Sequence, residues 1–290
     1  MDKHAYLIIC HNNFDQVAKL LKLLDYDKND IYIHVDKKCR NYPKEKLINS
    51  VKKSNLCFVK PINVNWGGSS LIQAEIILLQ KAIQTPHSYY HLISGNDLPI
   101  KSQDYIHDFF KLNNGKEYIS LELESQANKT KNFMCRIQYY HFLQNHIGRL
   151  TGKRIAFLSK IESTSLMLQH KLKIDRTAKT NVTFIKGAQW FSITNDMAKY
   201  ILQQYKSMKK FFRFSICADE IFLQTIAYSS PYHDNIEDEC LRFIDWNRGE
   251  PYTFKSEDFD LLVNSDKLFA RKFDEKVDNE IIERIYNHLS

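Results

Sequence analysis

Tyr6-Leu7-Ile8-Ile9-Cys10 is an unbroken apolar run that stops at His11-Asn12-Asn13 and gives way to helical periodicity over residues 14–24. A short run without polar interruption fits a strand buried on both faces, the kind found inside parallel sheets. The same unit recurs further along the chain. Ile31-Tyr32-Ile33-His34-Val35 reads as a second strand ending at Asp36, and a weaker one, Leu56-Cys57-Phe58-Val59, follows a helical stretch near 44–52. Trp66-Gly67-Gly68-Ser69-Ser70 leads into a helix over 71–83, where Ser70 with Gln73 fits a capping box and Pro86 lies just past the end. Tyr89-Tyr90-His91-Leu92-Ile93-Ser94 is another buried strand, closed by Gly95-Asn96-Asp97, and Tyr118-Ile119-Ser120-Leu121 is one more. Alternating strands and helices predict an α/β fold, with a mostly parallel sheet flanked by helices. Ligands of such sheets sit at the carboxyl ends of the strands, and His11, Asp36, Trp66 and Asp97 all follow strand ends. No GxGxxG or GxxxxGK[ST] occurs, so neither a dinucleotide fingerprint nor a P-loop is supported.

The second half is less regular. Residues 126–182 are polar and basic and read as loop plus helix. Residues 183–194 read as a strand pair around Lys186-Gly187-Ala188-Gln189, with helices near 196–205 and 219–228. Nothing marks a linker, so residues 1–290 are expected to form a single domain. With 43% hydrophobic residues there is ample material for one large core.

Composition narrows the function classes. The six cysteines include no Cys-x-x-Cys pair and no zinc-type spacing with histidine, which favours free thiols. The apolar stretch of residues 5–10 is too short for a signal peptide, and no segment approaches the ~18–20 apolar residues of a membrane span, so the expected location is cytoplasmic. The net charge of +7 suits anionic partners, and nine Lys/Arg fall in 149–186 against only Glu162 and Asp175. Contact with a membrane surface or an anionic acceptor is one reading of that segment. A solvated helix face is the favoured one, because Ile155, Phe157, Leu158, Leu166, Met167 and Leu168 look like ordinary packing. No nucleic-acid-binding motif is present.

Candidate chemistry centres on Asp219-Glu220, at the head of the apolar segment Ile221-Phe222-Leu223-Gln224-Thr225-Ile226-Ala227. Taken locally, Asp219 is a helix N-cap and Glu220 a first-turn acid favoured by the dipole. The functional alternative is a general base in an aromatic-walled site. Arg248, Arg271 and Lys272 are either surface charge or cations able to neutralise a diphosphate leaving group in place of a metal. Trp66 and Trp246 are core residues or stacking platforms for a base and a sugar. The strings Asp25-Tyr26-Asp27 and Asp258-Phe259-Asp260 do not follow a buried strand; both read as solvated surface, and no metal is expected.

Several segments occur together in a telling order: Ile33-His34-Val35-Asp36, then Tyr90 to Ile100 (YHLISGNDLPI), Lys186-Gly187-Ala188-Gln189-Trp190-Phe191, Ala218-Asp219-Glu220, Leu241-Arg242-Phe243-Ile244-Asp245-Trp246 and Leu268-Phe269-Ala270-Arg271-Lys272-Phe273-Asp274. This set resembles the core-2/I-branching β-1,6-N-acetylglucosaminyltransferases and the peptide O-xylosyltransferases related to them, over nearly the whole chain. The resemblance implies a GT-A fold and an inverting transferase that takes a UDP-sugar without an Asp-x-Asp metal site. It assigns Glu220 as catalytic base, and Arg248 and Lys272 as the cations at the diphosphate. It further places Asp36 at the uracil end, Trp66 beside the base, and Trp246, Glu122 and Arg136 at the acceptor. N-acetylglucosamine is the expected sugar, with UDP-xylose or a UDP-hexose as the alternative, and no cofactor is expected. The compact chain further resembles a bacterial-type member, acting on a glycan or lipid-linked glycan in surface polysaccharide assembly, in the cytoplasm or at the inner membrane face. Two rivals from other classes are a glycoside hydrolase, which needs two carboxylates across one glycosidic bond, and a basic module that binds polyanions without chemistry.

Overall fold

The computed structural model describes residues 2–122, 133–148 and 151–290. The strands are β1 (His4–Cys10), β2 (Asn29–Val35), β3 (Asn55–Phe58), β4 (Tyr89–Ser94), β5 (Asp97–Pro99), β6 (Glu117–Ile119), β7 (Phe191–Thr194), β8 (Ile236–Glu237), β9 (Arg242–Ile244) and β10 (Phe269–Arg271). The helices are α1 (Phe14–Leu24), α2 (Lys44–Ile48), α3 (Ser69–Ala82), α4 (Gln103–Leu112), α5 (Cys135–Gln138), α6 (Gln144–Ile147), α7 (Lys153–Lys171), α8 (Asn195–Phe212), α9 (Phe222–Tyr228), α10 (Phe259–Val263) and α11 (Asn279–Leu289). A seven-stranded sheet runs β3-β2-β1-β4-β7-β6-β8 and a three-stranded one β5-β10-β9. The first four strands of the large sheet are mutually parallel, while β7 is antiparallel to both β4 and β6. The α/β class and the mostly parallel sheet expected from the alternation are thus present.

The apolar run that opens the chain is buried on both faces, as its composition requires. Ala5 and Leu7 join the cluster beneath α3, α8 and α9, while Tyr6 and Ile8 join the opposite cluster beneath α1, α4 and α11. Larger side chains such as Leu7 and Ile8, fully withdrawn from water, each stabilise the fold by about 1.5–3 kcal/mol. In α1 the buried Val17, Leu20, Leu21 and Leu24 repeat at helical spacing.

Local details depart from the sequence reading in four places. The helix expected from residue 71 begins at Ser69 with Gly68 as its N-cap, so no capping box forms; the Ser70 hydroxyl instead accepts from the Asn65 amide. The strand pair expected over 183–194 is one strand, β7, plus an isolated bridge between Lys186 and Glu122. The helix expected at 196–205 extends to Phe212, since nothing breaks its amphipathic pattern before Arg213. The 219–228 helix is split into a 3-10 turn over Ala218–Glu220 and α9.

A buried arginine joins the two sheets. Arg242, the first residue of β9, donates from Nη1 to Ser192 Oγ at 2.9 Å and from Nη2 to the Leu92 and Phe191 carbonyls at 2.9 and 2.8 Å. It also donates to the Cys240 carbonyl and lies 4.8 Å over the Phe269 ring. One side chain therefore binds β4, β7 and β9 together. None of the six cysteines forms a disulfide among the described residues.

Candidate active site

The carboxyl edge of the parallel strands collects the residues singled out by sequence. Asp36 ends β2, and its amide donates to the Cys10 carbonyl at the end of β1; the Gly95 amide does the same to Ile9 from the end of β4. A Cβ at Gly95 would lie 2.9 Å from both Cys10 Cβ and Val17 Cγ2, so only glycine lets the β4 turn pass that close. Lys38 then bridges outward: it pairs with Asp36 at 3.3 Å and donates to the Val64 carbonyl and the Asn65 side chain. Asp36 and Trp66 thereby belong to one rim. Trp66 is 46% exposed on its glycine-flanked loop, as a stacking surface requires.

Glu220 sits on the 3-10 turn, which is held from three sides. The Cys217 amide donates to the Gly67 carbonyl next to Trp66, at 2.8 Å. The Gly187 amide donates to the Glu220 carbonyl at 2.9 Å. A Cβ at Gly187 would fall 1.8 Å from the Ser120 carbonyl oxygen, so no side chain fits there. Arg136 donates from Nη1 to Glu220 Oε2 at 2.8 Å, and both side chains are partly exposed. Beside them Lys186 pairs with Glu122, and the Glu122 amide donates to the Lys186 carbonyl at 2.6 Å. The structure therefore brings Glu122, Arg136 and Glu220 together around the KGAQWF segment, and Arg136 contacts the expected base itself.

Asp219 is not the cap expected from local sequence. It is buried, and its Oδ1 has no hydrogen-bond partner among the described residues. Burial pushes its carboxyl up to about 7, with the Glu220 charge adding to the shift. Glu75 on α3 is fully enclosed and held well above the usual carboxylate range by burial, then by Asp219. Glu75 accepts from Gln189 at 2.8 Å, while its second oxygen has no partner among the described residues. Two acids titrating high in the folded state destabilise it as pH rises, because the unfolded chain releases those protons from about pH 4 upward. Stability is therefore lost between about pH 4 and pH 7, where Asp219 must stay protonated in the folded state only. Asp219→Asn removes the share of that dependence due to residue 219. Thermal melts should show a larger gain for the variant at pH 8 than at pH 5, and equal shifts at both would refute this reading.

The third group combines the loop after β9, which carries Trp246 and Arg248, with the residue that follows β10, Lys272. Lys272 follows Arg271; its amide donates to the Tyr252 carbonyl, and among the described residues its ammonium makes no ion pair. Arg248 stacks 4.1 Å over Tyr252, on the segment beside Lys272. Its guanidinium is already bound by Asp245 at 2.6 Å and Asp258 at 2.7 Å, so it is not offered as a lone phosphate cation. Asp258, expected at the surface, is buried because it holds Arg248 and accepts from the Lys255 amide. Asp25 is likewise engaged, by the amides of residues 52, 53 and 54. Among the described residues no group of three or more His, Cys, Asp or Glu is placed to hold a metal ion. Trp246 is 65% exposed on the same loop as Arg248. Arg271, left without a role by the sequence, bonds Asp97 at 2.8 Å and Ser94 at 2.6 Å and lies 4.5 Å over Trp190. It locks the end of β4 to β10 and the KGAQWF segment.

Two cavities stand out. One, of about 790 Å³, lies between α1 and α11 and includes none of these residues. The other, of about 700 Å³, is lined by Arg176, Lys179, Lys209, Lys210 and Arg213 with Tyr140, Tyr205 and Phe214, and by no acid.

The Core-2/I-Branching enzyme family model matches residues 4–262. The chain belongs to that family. Among curated relatives, xylosyltransferase 2 of Canis lupus familiaris is 23% identical over 98% of this chain and 33% of its own length, and xylosyltransferase 1 of Rattus norvegicus is 23% identical over 98% and 35%. Human xylosyltransferase 2 is 22% identical with the same coverage as the canine protein. The chain thus spans about a third of the length of these relatives. Among solved structures, the apo form of mouse xyloside xylosyltransferase 1 is similar at 11% identity and a TM-score of 0.38, covering 92% of this chain and 96% of that one. The family match spans the large sheet, the Asp36–Trp66 rim and Glu220; the segment carrying Lys272 lies beyond it.

Proposed function

We propose that this protein is an inverting glycosyltransferase that moves a sugar from a UDP-sugar to a glycan hydroxyl, with Glu220 as base and no metal at the diphosphate. The observation that carries this reading is the fixing of Glu220 by the Gly187 amide and Arg136, on the same edge as Asp36 and Trp66. The acceptor hydroxyl gives its proton to Glu220 as its oxygen bonds the anomeric carbon, and UDP leaves from the opposite face. Lys272 offsets the charge growing on the β-phosphate. Arg248 contributes only by exchanging a carboxylate for the phosphate. Asp36 and Trp66 hold the uracil end, and Trp246 and Glu122 face the acceptor. Arg136, assigned to the acceptor by resemblance, serves here to hold the base.

N-acetylglucosamine is the first candidate sugar. Xylose is the alternative, which the names of the curated relatives favour. A glycan or lipid-linked glycan in bacterial surface polysaccharide assembly is the proposed acceptor, and the cytoplasm or inner membrane face the proposed location. Among the described residues no helix is long and apolar enough to cross a membrane. The hydrolase reading is disfavoured by Asp219, which is buried while Glu220 is partly exposed, so the two do not both face a substrate across one bond.

The deciding experiment is a thermal-shift and UDP-release screen across UDP-GlcNAc, UDP-Xyl, UDP-Gal and UDP-Glc, with and without EDTA. A true donor at 100 times its Kd stabilises the fold by about 2.7 kcal/mol. One donor should stand out and release UDP, and EDTA should leave the rate unchanged. Loss of activity in EDTA with rescue by manganese overturns the metal-free proposal; no UDP-sugar response at all overturns the reading.

A further inference from the structure

Helix α7 leaves an apolar stripe in solvent. The residues it buries are polar: Glu162 and Gln169, two turns apart. Glu162 accepts from the Leu143 amide at 3.1 Å, and Gln169 both accepts from the Tyr140 amide at 2.7 Å and donates to the Tyr140 carbonyl at 3.0 Å. Ile155, Leu158 and Leu166 are half-buried on the same side as these two, whereas a second set of apolar side chains lies about a quarter-turn away in solvent. Phe157, Ile161, Leu168 and Leu172 are 64%, 44%, 55% and 64% exposed, and their spacing of four, seven and four residues sets them on one face. Of the six residues expected to pack, Ile155, Leu158 and Leu166 are half-buried, but Phe157, Met167 and Leu168 are exposed, because the inward side of the helix is held largely by side-chain bonds to the 140–143 backbone. The neighbouring part of the basic segment, residues 149–150, lies outside the described residues.

Charge selects what covers this stripe. Lys153, Arg154, Lys160 and Lys171 are all exposed, and the only acid of the helix, Glu162, is turned inward. At 100° per residue Lys153, Lys160 and Lys171 line one border of the stripe. A second copy docked on this face would set cations against cations with no acid of the helix to offset them. An anionic lipid surface offers the complement: an apolar layer for the stripe and negative headgroups for its border.

We propose that the outward face of α7, centred on Phe157, Ile161, Leu168 and Leu172, is a docking surface for an anionic membrane, lying in the interface without crossing it. This goes beyond the glycosyl-transfer reading and is tested without it. The full chain is sedimented with vesicles of phosphatidylglycerol and phosphatidylcholine (3:7) and with pure phosphatidylcholine. The wild type should sediment with the anionic vesicles and far less with the neutral ones. Phe157→Ser/Leu168→Ser, both at exposed positions, should weaken binding ~10-fold or more. Lys153→Glu/Lys160→Glu should abolish the preference for anionic vesicles. Melts of both variants should match the wild type. Absence of binding to anionic vesicles, or equal binding by the wild type and the serine variant, overturns the proposal. So does a wild-type dimer in sedimentation velocity that the serine variant loses, since that assigns the stripe to self-association.

Discussion

Glu220→Gln is expected to bind UDP as the wild type does and to transfer sugar about 10²–10⁴-fold more slowly, the cost of removing a positioned general base. The amide keeps the size of the side chain and an oxygen to accept from Arg136, so the turn held by the Gly187 amide should not move. The loss should fall on turnover, with the thermal shift induced by UDP preserved. Near-wild-type turnover would remove Glu220 from the chemistry. A loss of both turnover and UDP binding would mean that the ion pair with Arg136 builds the site and that its catalytic reading fails.

Arg242→Met should destabilise the fold by about 3–5 kcal/mol in urea titrations, without touching any residue placed at the reaction. The guanidinium is buried, yet among the described residues no carboxylate pairs with it directly; it answers the Leu92, Phe191 and Cys240 carbonyls and the Ser192 hydroxyl. Methionine fills part of the volume but leaves those acceptors without their donor, each worth about 1–3 kcal/mol when stranded in the interior. Arg242→Lys should fall between the two, because one ammonium cannot reproduce the planar fork. A loss below about 1 kcal/mol for the methionine variant would show that water or relaxation replaces the arginine.

The parallel half of the sheet was legible because its strands are buried on both faces, and such strands advertise themselves as unbroken apolar runs. The edge carrying Asp36, Trp66 and Asp97 followed directly, since strand ends fix where loops emerge. What escaped has a common physical origin in partners far away in sequence. Arg242 looks like an ordinary strand residue until β4 and β7 arrive beside it. Asp219 resembles a cap, and its burial against Glu75 depends on the packing of α3. Arg248 reads as a free cation only while Asp258, ten residues on, is taken for surface. The exposed stripe of α7 follows from Glu162 and Gln169 bonding the backbone of 140–143, which no periodicity reveals. Lys38 left a faint signal, two residues past a strand-ending acid.

The contact at Gly187 sets a practical boundary for anyone wishing to redirect this protein to a new acceptor. The proposed base, Glu220, sits on a turn held by a main-chain bond, at a position where even a methyl group would collide with the Ser120 carbonyl. Side chains around it other than Arg136, which pairs with its carboxylate, can consequently be randomised while the turn stays in place. A library that varies Glu122, Lys186 and Trp246 while leaving residue 187 as glycine should sample new acceptors at little risk to the chemistry, whereas one that includes residue 187 will return mostly inactive clones.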